Sequence, residues 1–170
     1  KQKIEMPEPV FIPELKEHEG TEAMQSAIPI LKKQSEKVKN WFNQIEENPA
    51  LRKRNTLLAF QYFMDEWVLG NVEIPNVEPW ADFRNGTRKA LELIKKNTGR
   101  GEKIGVFTSG GTISSITAEG LKITDERRVA AMNFSVRNTS FTTFLYSRNM
   151  FNLLSFNELP HLGEEMITFV

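Results

Sequence analysis

The segment from Lys103 to Ile116, KIGVFTSGGTISSI, constrains the fold more than any other part of the sequence. Its first half is rich in apolar and β-branched residues, which predicts a buried strand over Lys103–Thr108. Two glycines flanked by hydroxyl side chains follow, and a helix is predicted near Thr112–Ala118. A strand that passes through a glycine turn into a helix is typical of layered α/β domains.

The glycine turn is the first candidate site in the sequence. Glycine lets the backbone approach a ligand closely, and the N–H groups at a helix N-terminus bind anions such as phosphate. The neighbouring hydroxyls add further donors. The residues that would bind phosphate are therefore Ser109, Gly110, Gly111 and Thr112. The alternative interpretation is that the two glycines only make a tight strand-to-helix turn.

Better-known glycine motifs do not occur in the chain. The sequence contains no GxxxxGK[ST], no GxGxxG and no GxSxG, which excludes a P-loop, a dinucleotide fingerprint and a nucleophile elbow. SGGTI is similar to the TGGTI segment of bacterial asparaginases, but their companion His-Gly-Thr-Asp-Thr segment is missing here. The glycine turn must therefore be interpreted from its wider context.

Composition excludes several classes of function. Lys plus Arg (22) balances Asp plus Glu (22), so no overall field favours nucleic acid or an anionic membrane. No apolar run is long enough to span a bilayer. The absence of cysteine excludes disulfides and thiolate chemistry, and two histidines are too few for a recognisable metal motif. We therefore expect a cytoplasmic protein with no metal, no other cofactor, and no nucleic-acid or membrane partner.

The remaining patterns predict helices in the first half and a strand pair near the end. Helices are expected from about residue 21 to 48, bent or split at Pro29, then from Pro49, and then over Glu78–Asn97. Near the C-terminus, NTSFTTFLYSR alternates hydroxyl and apolar residues, and MFNLLSFN follows it closely. This pattern predicts two strands joined by a tight turn.

In their order along the chain, these segments resemble the C-terminal portion of the histidine phosphatase superfamily, the phosphoglycerate mutase-like proteins. VFTSGGTISSI is similar to the family's strand that ends in Ser-His-Gly-Gly, here in a Thr-Ser-Gly-Gly form that a subgroup carries. RVAAMNFSVRNTSFTTFLYSRNMFNLLSFNELPHL is similar to its Asn-x-Ser strand start, paired strand and terminal Asn…His-Leu. Upstream, ELKEHEG is similar to the Leu-x-Glu segment.

The resemblance implies a fold and a reaction. The fold is a three-layer α/β/α domain with a mostly parallel sheet and a helical cap at about 21–70, forming one domain over 1–170. The family's Arg-His-Gly strand is absent, and the chain starts at Lys1 without methionine, so we expect an N-terminally incomplete domain. The implied reaction is phosphomonoester hydrolysis through a phosphohistidine, with the nucleophile outside the sequence. Its general acid would be Glu17.

Several alternatives stay open at this stage. Ser109 replaces a family histidine and cannot carry positive charge, so a catalytically degenerate member that binds phosphorylated ligands or partners is the rival reading. Mutase activity is a third possibility. Glu17 and His18 could be solvated loop residues, although His18 could also tune Glu17. Asn138 either approaches the turn or caps a strand, and His161 either approaches the site or packs the C-terminus.

The expected ligand is a small phosphorylated substrate or inorganic phosphate. The terminal strand pair could offer an edge for a second copy, so a monomer and a homodimer are both compatible with the sequence.

Overall fold

The computed structural model describes residues 7–99, 101–147 and 149–169. Within these ranges the chain forms six α-helices and two β-strands. In chain order they are α1 (Gly20–Gln34), α2 (Glu36–Glu47), α3 (Arg52–Val68), α4 (Trp80–Asn97), α5 (Gly110–Leu121), α6 (Glu126–Asn133), β1 (Phe141–Ser147) and β2 (Met150–Glu158). Short 3-10 helices lie at Pro13–Leu15, Pro49–Leu51 and Glu164–Met166. This mixture agrees with an α/β class, and no helix in the described ranges is long and apolar enough to cross a membrane.

The helices predicted in the first half form, but the first boundary differs from the prediction. Pro29 lies inside α1 and does not split it. The break lies at Ser35, whose extended backbone (φ −134°, ψ 112°) separates α1 from α2. Its hydroxyl accepts a hydrogen bond from the backbone N–H of Val38 at 3.5 Å. A proline removes one helical hydrogen bond, and the burial of Ala27 and Leu31 on either side of Pro29 offsets that loss.

Helices from both halves of the chain share one apolar core. Its most buried members include Ala23 of α1, Phe63 of α3, Ala118 of α5 and Val129 of α6, each fully buried. Burial of a large apolar side chain such as Phe63 contributes about 1.5–3 kcal/mol. The segment predicted to form a cap, about 21–70, is therefore helical and packs into the same core as α5 and α6.

α4 presents one buried face, as its apolar spacing predicts. Trp80, Phe83, Thr87, Ala90 and Leu91 on this face are buried. The helix packs against α5 and against the 3-10 turn that precedes α1. α4 thus supports the two segments that form the candidate site.

The strand predicted over Lys103–Thr108 is not formed in the structure. The segment has no regular secondary structure, and Ile104, Val106 and Phe107 are exposed by 39%, 44% and 92%. Sequence preference alone does not make a strand, because its backbone groups need a neighbouring strand as partner. No described residue pairs with this segment. The mostly parallel sheet and the three layers are accordingly not seen in the described ranges, whose one sheet is antiparallel.

The strand pair predicted near the C-terminus is confirmed. β1 and β2 pair antiparallel from Ser147–Met150 to Phe141–Glu158, with irregular register around Thr143. The rings of Phe144 and Phe151 stack with centroids 4.7 Å apart. One face of this hairpin packs on α5, where Phe144 lies close to Gly120.

Candidate active site

The hydroxyl groups of Thr108 and Thr112 form hydrogen bonds that connect the segment before α1 to the region of the glycine turn. Thr108 donates a hydrogen bond from Oγ1 to the carbonyl oxygen of Leu15 at 2.6 Å. Thr112 donates from Oγ1 to the carbonyl oxygen of Lys16 at 2.8 Å. The Thr112 hydroxyl proton is therefore committed to the backbone, and the side chain is fully buried. These contacts, between residues more than ninety positions apart, deliver Glu17 to the start of α5.

Glu17 lies directly against the glycine turn. Its Oε2 accepts a hydrogen bond from the backbone N–H of Gly111 at 3.0 Å, and its Oε1 accepts one from its neighbour His18 N–H at 2.9 Å. Gly111 is the second residue of α5, so its N–H has no partner within the helix. A carboxylate at this position also interacts favourably with the positive end of the helix dipole. The structure therefore brings Glu17 into contact with the glycine turn.

Gly111 allows this close contact because it has no side chain. A Cβ atom built at this position would overlap the Glu17 carboxylate and would lie 2.5 Å from Cδ2 of His18. Its φ is not in the left-handed region, so the requirement is for space rather than for backbone freedom.

Ser109 occupies the N-cap position of α5 without acting as a cap. Its backbone is extended (φ −103°, ψ 174°), but its side chain forms no capping hydrogen bond. The Oγ atom is buried and has no hydrogen-bond partner among the described residues. Buried hydroxyls normally have a hydrogen-bond partner. The Ser109 hydroxyl is an exception among the described residues, and it lies two positions before Gly111, which contacts Glu17.

His18 is buried rather than solvated, with a side chain that is 7% exposed. The backbone N–H of Gly20 donates to its Nδ1 at 3.1 Å, and its Nε2 lies 3.5 Å from Glu17 Oε1. Three aromatic rings surround the imidazole edge to face, with centroids 5.4–5.7 Å away: those of Trp67, Trp80 and Phe83. The alternative in which His18 is a solvated loop residue is therefore wrong.

The burial of His18 governs its protonation. Loss of hydration lowers the pKa of this imidazole below 6.5, although the negative charge of Glu17, the backbone hydrogen bond and the charge of Glu22 oppose the shift. The neutral ring is therefore favoured in the folded chain.

The other two candidates make their contacts near the C-terminus. Asn138 donates from Nδ2 to the hydroxyl of Thr168 at 2.9 Å and to the carbonyl oxygen of Phe169 at 3.1 Å. His161 is exposed, stacks edge to face on Phe141 with centroids 5.2 Å apart, and has Nε2 3.3 Å from the hydroxyl of Thr139. Neither side chain forms a hydrogen bond with the glycine turn in the described ranges.

Arg84 is the buried polar residue that sequence reasoning missed. It is 1% exposed and donates to Glu126 Oε2 at 2.9 Å, to the Ser115 carbonyl at 2.8 Å and to Glu119 Oε1 at 3.0 Å. A signal existed, because Arg84 lies four residues after Trp80 and so falls on the buried face of α4. Its contacts join α4, α5 and α6.

The described residues include no cluster of three or more histidine, aspartate or glutamate side chains that could hold a metal ion. They also provide no lysine or arginine that pairs with Glu17 or hydrogen-bonds to the glycine turn; Lys16, the nearest in sequence, pairs with Glu19 and Glu78 instead. The chemistry available at this place therefore consists of the Glu17 carboxyl group, the buried N–H groups and the buried Ser109 hydroxyl at the start of α5, and a buried neutral imidazole.

Comparison with known proteins agrees with the resemblance seen in the sequence. Residues 23–159 match the family model of the histidine phosphatase superfamily (branch 1). The match contains the glycine turn and Asn138, whereas Glu17, His18 and His161 lie outside it. Searches of the curated proteins and of the solved structures found no match. Since the matched range covers most of the chain, this protein belongs to the histidine phosphatase superfamily.

Proposed function

We propose that this chain supplies the acid and the phosphate cradle of a phosphomonoester hydrolase that works through a phosphohistidine. The observation that carries the proposal is the contact of the Glu17 carboxylate with the N–H of Gly111. This contact supports the proposal because it brings a carboxyl group to a helix N-terminus, which suits a phosphate group. The nucleophilic histidine would come from sequence outside Lys1–Val170.

In the first step, the nucleophilic histidine attacks phosphorus and the bond from phosphorus to the ester oxygen breaks. Glu17 gives its proton to that leaving oxygen, which departs as an alcohol. In the second step, water attacks the phosphohistidine, its proton returns to Glu17, and inorganic phosphate is released. The charge that develops on the phosphoryl oxygens would be stabilised by the N–H groups of Gly110 and Gly111 and by the hydroxyl of Ser109. Thr112 would contribute by holding the backbone beside Glu17 in place.

Substrate phosphate and Glu17 compete for one donor in this scheme. The N–H of Gly111 donates to the carboxylate in the structure. A protonated Glu17 carboxyl no longer needs that N–H and can turn toward the leaving oxygen. A protonated Glu17 and a bound substrate phosphate can therefore be present in the site at the same time.

The finer expectations about the fold form part of the same proposal. Lys103–Thr108 would become a strand of a mostly parallel sheet when a strand from sequence outside Lys1–Val170 pairs with it. The exposure of Ile104, Val106 and Phe107 supports this, since apolar side chains on both faces are typical of strands covered on both sides. α1–α3 would then form the cap of a three-layer domain. The Thr-Ser-Gly-Gly subgroup, a cytoplasmic location and a monomer or homodimer belong to the proposal as well.

A second candidate function is favoured by Ser109. A serine in place of the family histidine leaves the described turn without a cation, so transition-state stabilisation is weaker. The chain would then bind phosphorylated ligands and turn them over slowly or not at all.

One experiment distinguishes the two functions. It uses the protein together with any sequence that precedes Lys1. We expect hydrolysis of p-nitrophenyl phosphate, and we expect Glu17→Gln to lower kcat about 100-fold or more with little change in KM. Glu14→Gln is the control, because Glu14 is an exposed carboxylate three residues away. An unchanged kcat in Glu17→Gln removes Glu17 from the mechanism. Absence of turnover, together with phosphate-dependent protection of the Gly111 amide from hydrogen exchange, establishes the binding function instead.

A further inference from the structure

We propose that His18 is a positioning residue that holds the Glu17 carboxylate against the glycine turn. The inference rests on the proposed role of Glu17 as the general acid. Its basis is a set of contacts that fix the imidazole ring of His18. They leave one ring N–H group, which faces the Glu17 carboxylate.

The hydrogen bonds of His18 determine which nitrogen carries the proton. Nδ1 accepts the N–H of Gly20, so in the neutral ring the proton sits on Nε2. Nε2 lies 3.5 Å from Glu17 Oε1 and 3.3 Å from the side-chain amide of Asn133. The Oδ1 of Asn133 is buried and has no partner among the residues that the structure describes. Rotation of that amide by half a turn would let Oδ1 accept this proton. The Nε2–H group therefore lies between two oxygen acceptors, one of which belongs to Glu17.

The surroundings of the ring prevent it from turning away. Trp67 of α3 and Trp80 and Phe83 of α4 surround it with their rings. Gly20 lies so close that a Cβ atom there would be 2.8 Å from the imidazole. Residues of α1, α3 and α4 thus fix the ring, and the ring in turn restricts the Glu17 carboxylate, whose side chain is 35% exposed.

A positive charge on the His18 ring would oppose this arrangement of hydrogen bonds. The charged groups that act on His18 are the carboxylates of Glu17 and Glu22, and the groups facing it from α3, α4 and α6 are uncharged. Protonation would place a hydrogen on Nδ1, which faces the N–H of Gly20, so the bond between them would be lost. The neutral ring, which burial favours, is the form that fits.

Two substitutions separate the two sides of the imidazole. The side-chain amide of His18→Gln reaches the position of Nε2, whereas that of His18→Asn reaches only the position of Nδ1. The N–H of Gly111 is the reporter, since its one hydrogen bond goes to Glu17 and its exchange rate can be measured in the full chain without substrate. We expect His18→Asn to speed that exchange about tenfold, approaching Glu17→Ala, and His18→Gln to keep most of the protection.

A double substitution excludes a purely structural role. If His18 acts through Glu17, His18→Asn adds no further acceleration at Gly111 in a Glu17→Ala background. If His18→Asn lowers the melting temperature but leaves Gly111 exchange as in the unmodified chain, the positioning role is refuted. Should the His18 variants fail to fold, Asn133→Ala removes the other acceptor of the Nε2 proton and leaves it to Glu17. Exchange at Gly111 should then stay as slow as in the unmodified chain or become slower, and faster exchange would refute the proposal.

This readout is independent of the proposed reaction. Exchange that follows the prediction, combined with normal turnover by Glu17→Gln, overturns the hydrolase mechanism and leaves the positioning of Glu17 standing. Exchange that ignores His18, combined with strongly reduced turnover by Glu17→Gln, does the opposite.

Discussion

The polar groups in the first turn of α5 and those around Arg84 in its middle differ in their hydrogen-bond partners. In the middle, Ser115 and Glu119 meet the buried guanidinium of Arg84, whose donors are met by oxygen atoms from two helices. At the start, the Ser109 hydroxyl has no described partner, and the Glu17 carboxylate is held by backbone N–H groups rather than by a cation. Arg84 thus has a paired network on α5, whereas the Ser109 hydroxyl at the start of the helix has no described partner. Thr117, whose Oγ1 is also buried without a described partner, lies outside the Arg84 network.

The difference separates a part of α5 that has no capacity for a ligand from a part that keeps it. A buried network whose donors and acceptors are all paired makes the fold more rigid and has no capacity left for a ligand. An unpaired buried donor keeps that capacity, and packing does not explain why the chain tolerates its cost to stability. The substitutions below are chosen to test whether stability belongs to the middle of α5 and ligand binding to its start.

The largest effect is expected at Arg84. Arg84→Ala leaves the carboxylates of Glu119 and Glu126 without their buried partner and should lower the free energy of unfolding by about 3 kcal/mol. Arg88 contacts the same two carboxylates with a side chain that is 43% exposed, so Arg88→Ala should cost about 1 kcal/mol or less. Urea unfolding of both variants measures the contrast, and equal losses would mean that burial of Arg84 is not what matters.

A smaller effect is expected from a single methyl group at the turn. Gly111→Ala introduces a Cβ into the space of Glu17 and His18 and should lower stability by about 1–3 kcal/mol. Gly86→Ala is the matched control in α4, where the new Cβ would meet Glu14 at an ordinary 3.6 Å. Because alanine favours helix more than glycine, this control should gain about 0.5–1 kcal/mol. Thermal unfolding distinguishes them, and a stable Gly111→Ala would show that Glu17 is not held tightly.

The strand predictions show how far the sequence determines the fold. Lys103–Thr108 and the hairpin both carry strand patterns, but only the hairpin forms, because β1 and β2 lie next to each other and need no distant partner. The first segment depends on a neighbour that local sequence cannot supply. The break at Ser35 rather than Pro29 has a similar cause, since burial around the proline outweighs its local preference.

The candidate site also contains features that could be predicted from the sequence and features that could not. The glycine turn could be found from sequence because its residue types and its place before a helix carry the chemistry, and Glu17 was found through the Leu-x-Glu resemblance. The aromatic cage of His18 could not, because it joins side chains from α3 and α4 that are about fifty positions or more away along the chain. Arg84 was missed as well, although its spacing from Trp80 places it on the buried face of α4.

The protonation of His18 gives a pH-dependent test of the start of α5. Burial lowers the pKa of His18 in the folded chain, so between pH 6.5 and that lower value the unfolded chain binds more protons than the folded one. Stability should therefore fall as the pH falls through this window. His18→Gln lacks the titrating ring, and its urea midpoint should decline less steeply from about pH 7 to about pH 5. Parallel curves for the two proteins would contradict the burial of a neutral imidazole.

The smallest effect, and the clearest contrast, is expected from two serines on α5. Ser115→Ala removes a hydroxyl that hydrogen-bonds to Arg84 and should cost about 1 kcal/mol, with the Ser115 carbonyl still in place. Ser109→Ala removes a hydroxyl with no described partner, so its stability should stay within about 0.5 kcal/mol of the unmodified chain. Phosphate binding, followed by exchange at Gly111, should reverse the order: Ser109→Ala weakens it and Ser115→Ala does not. If Ser109→Ala instead destabilises the chain and binds phosphate normally, its hydroxyl has a structural partner, and the start of α5 is as complete as its middle.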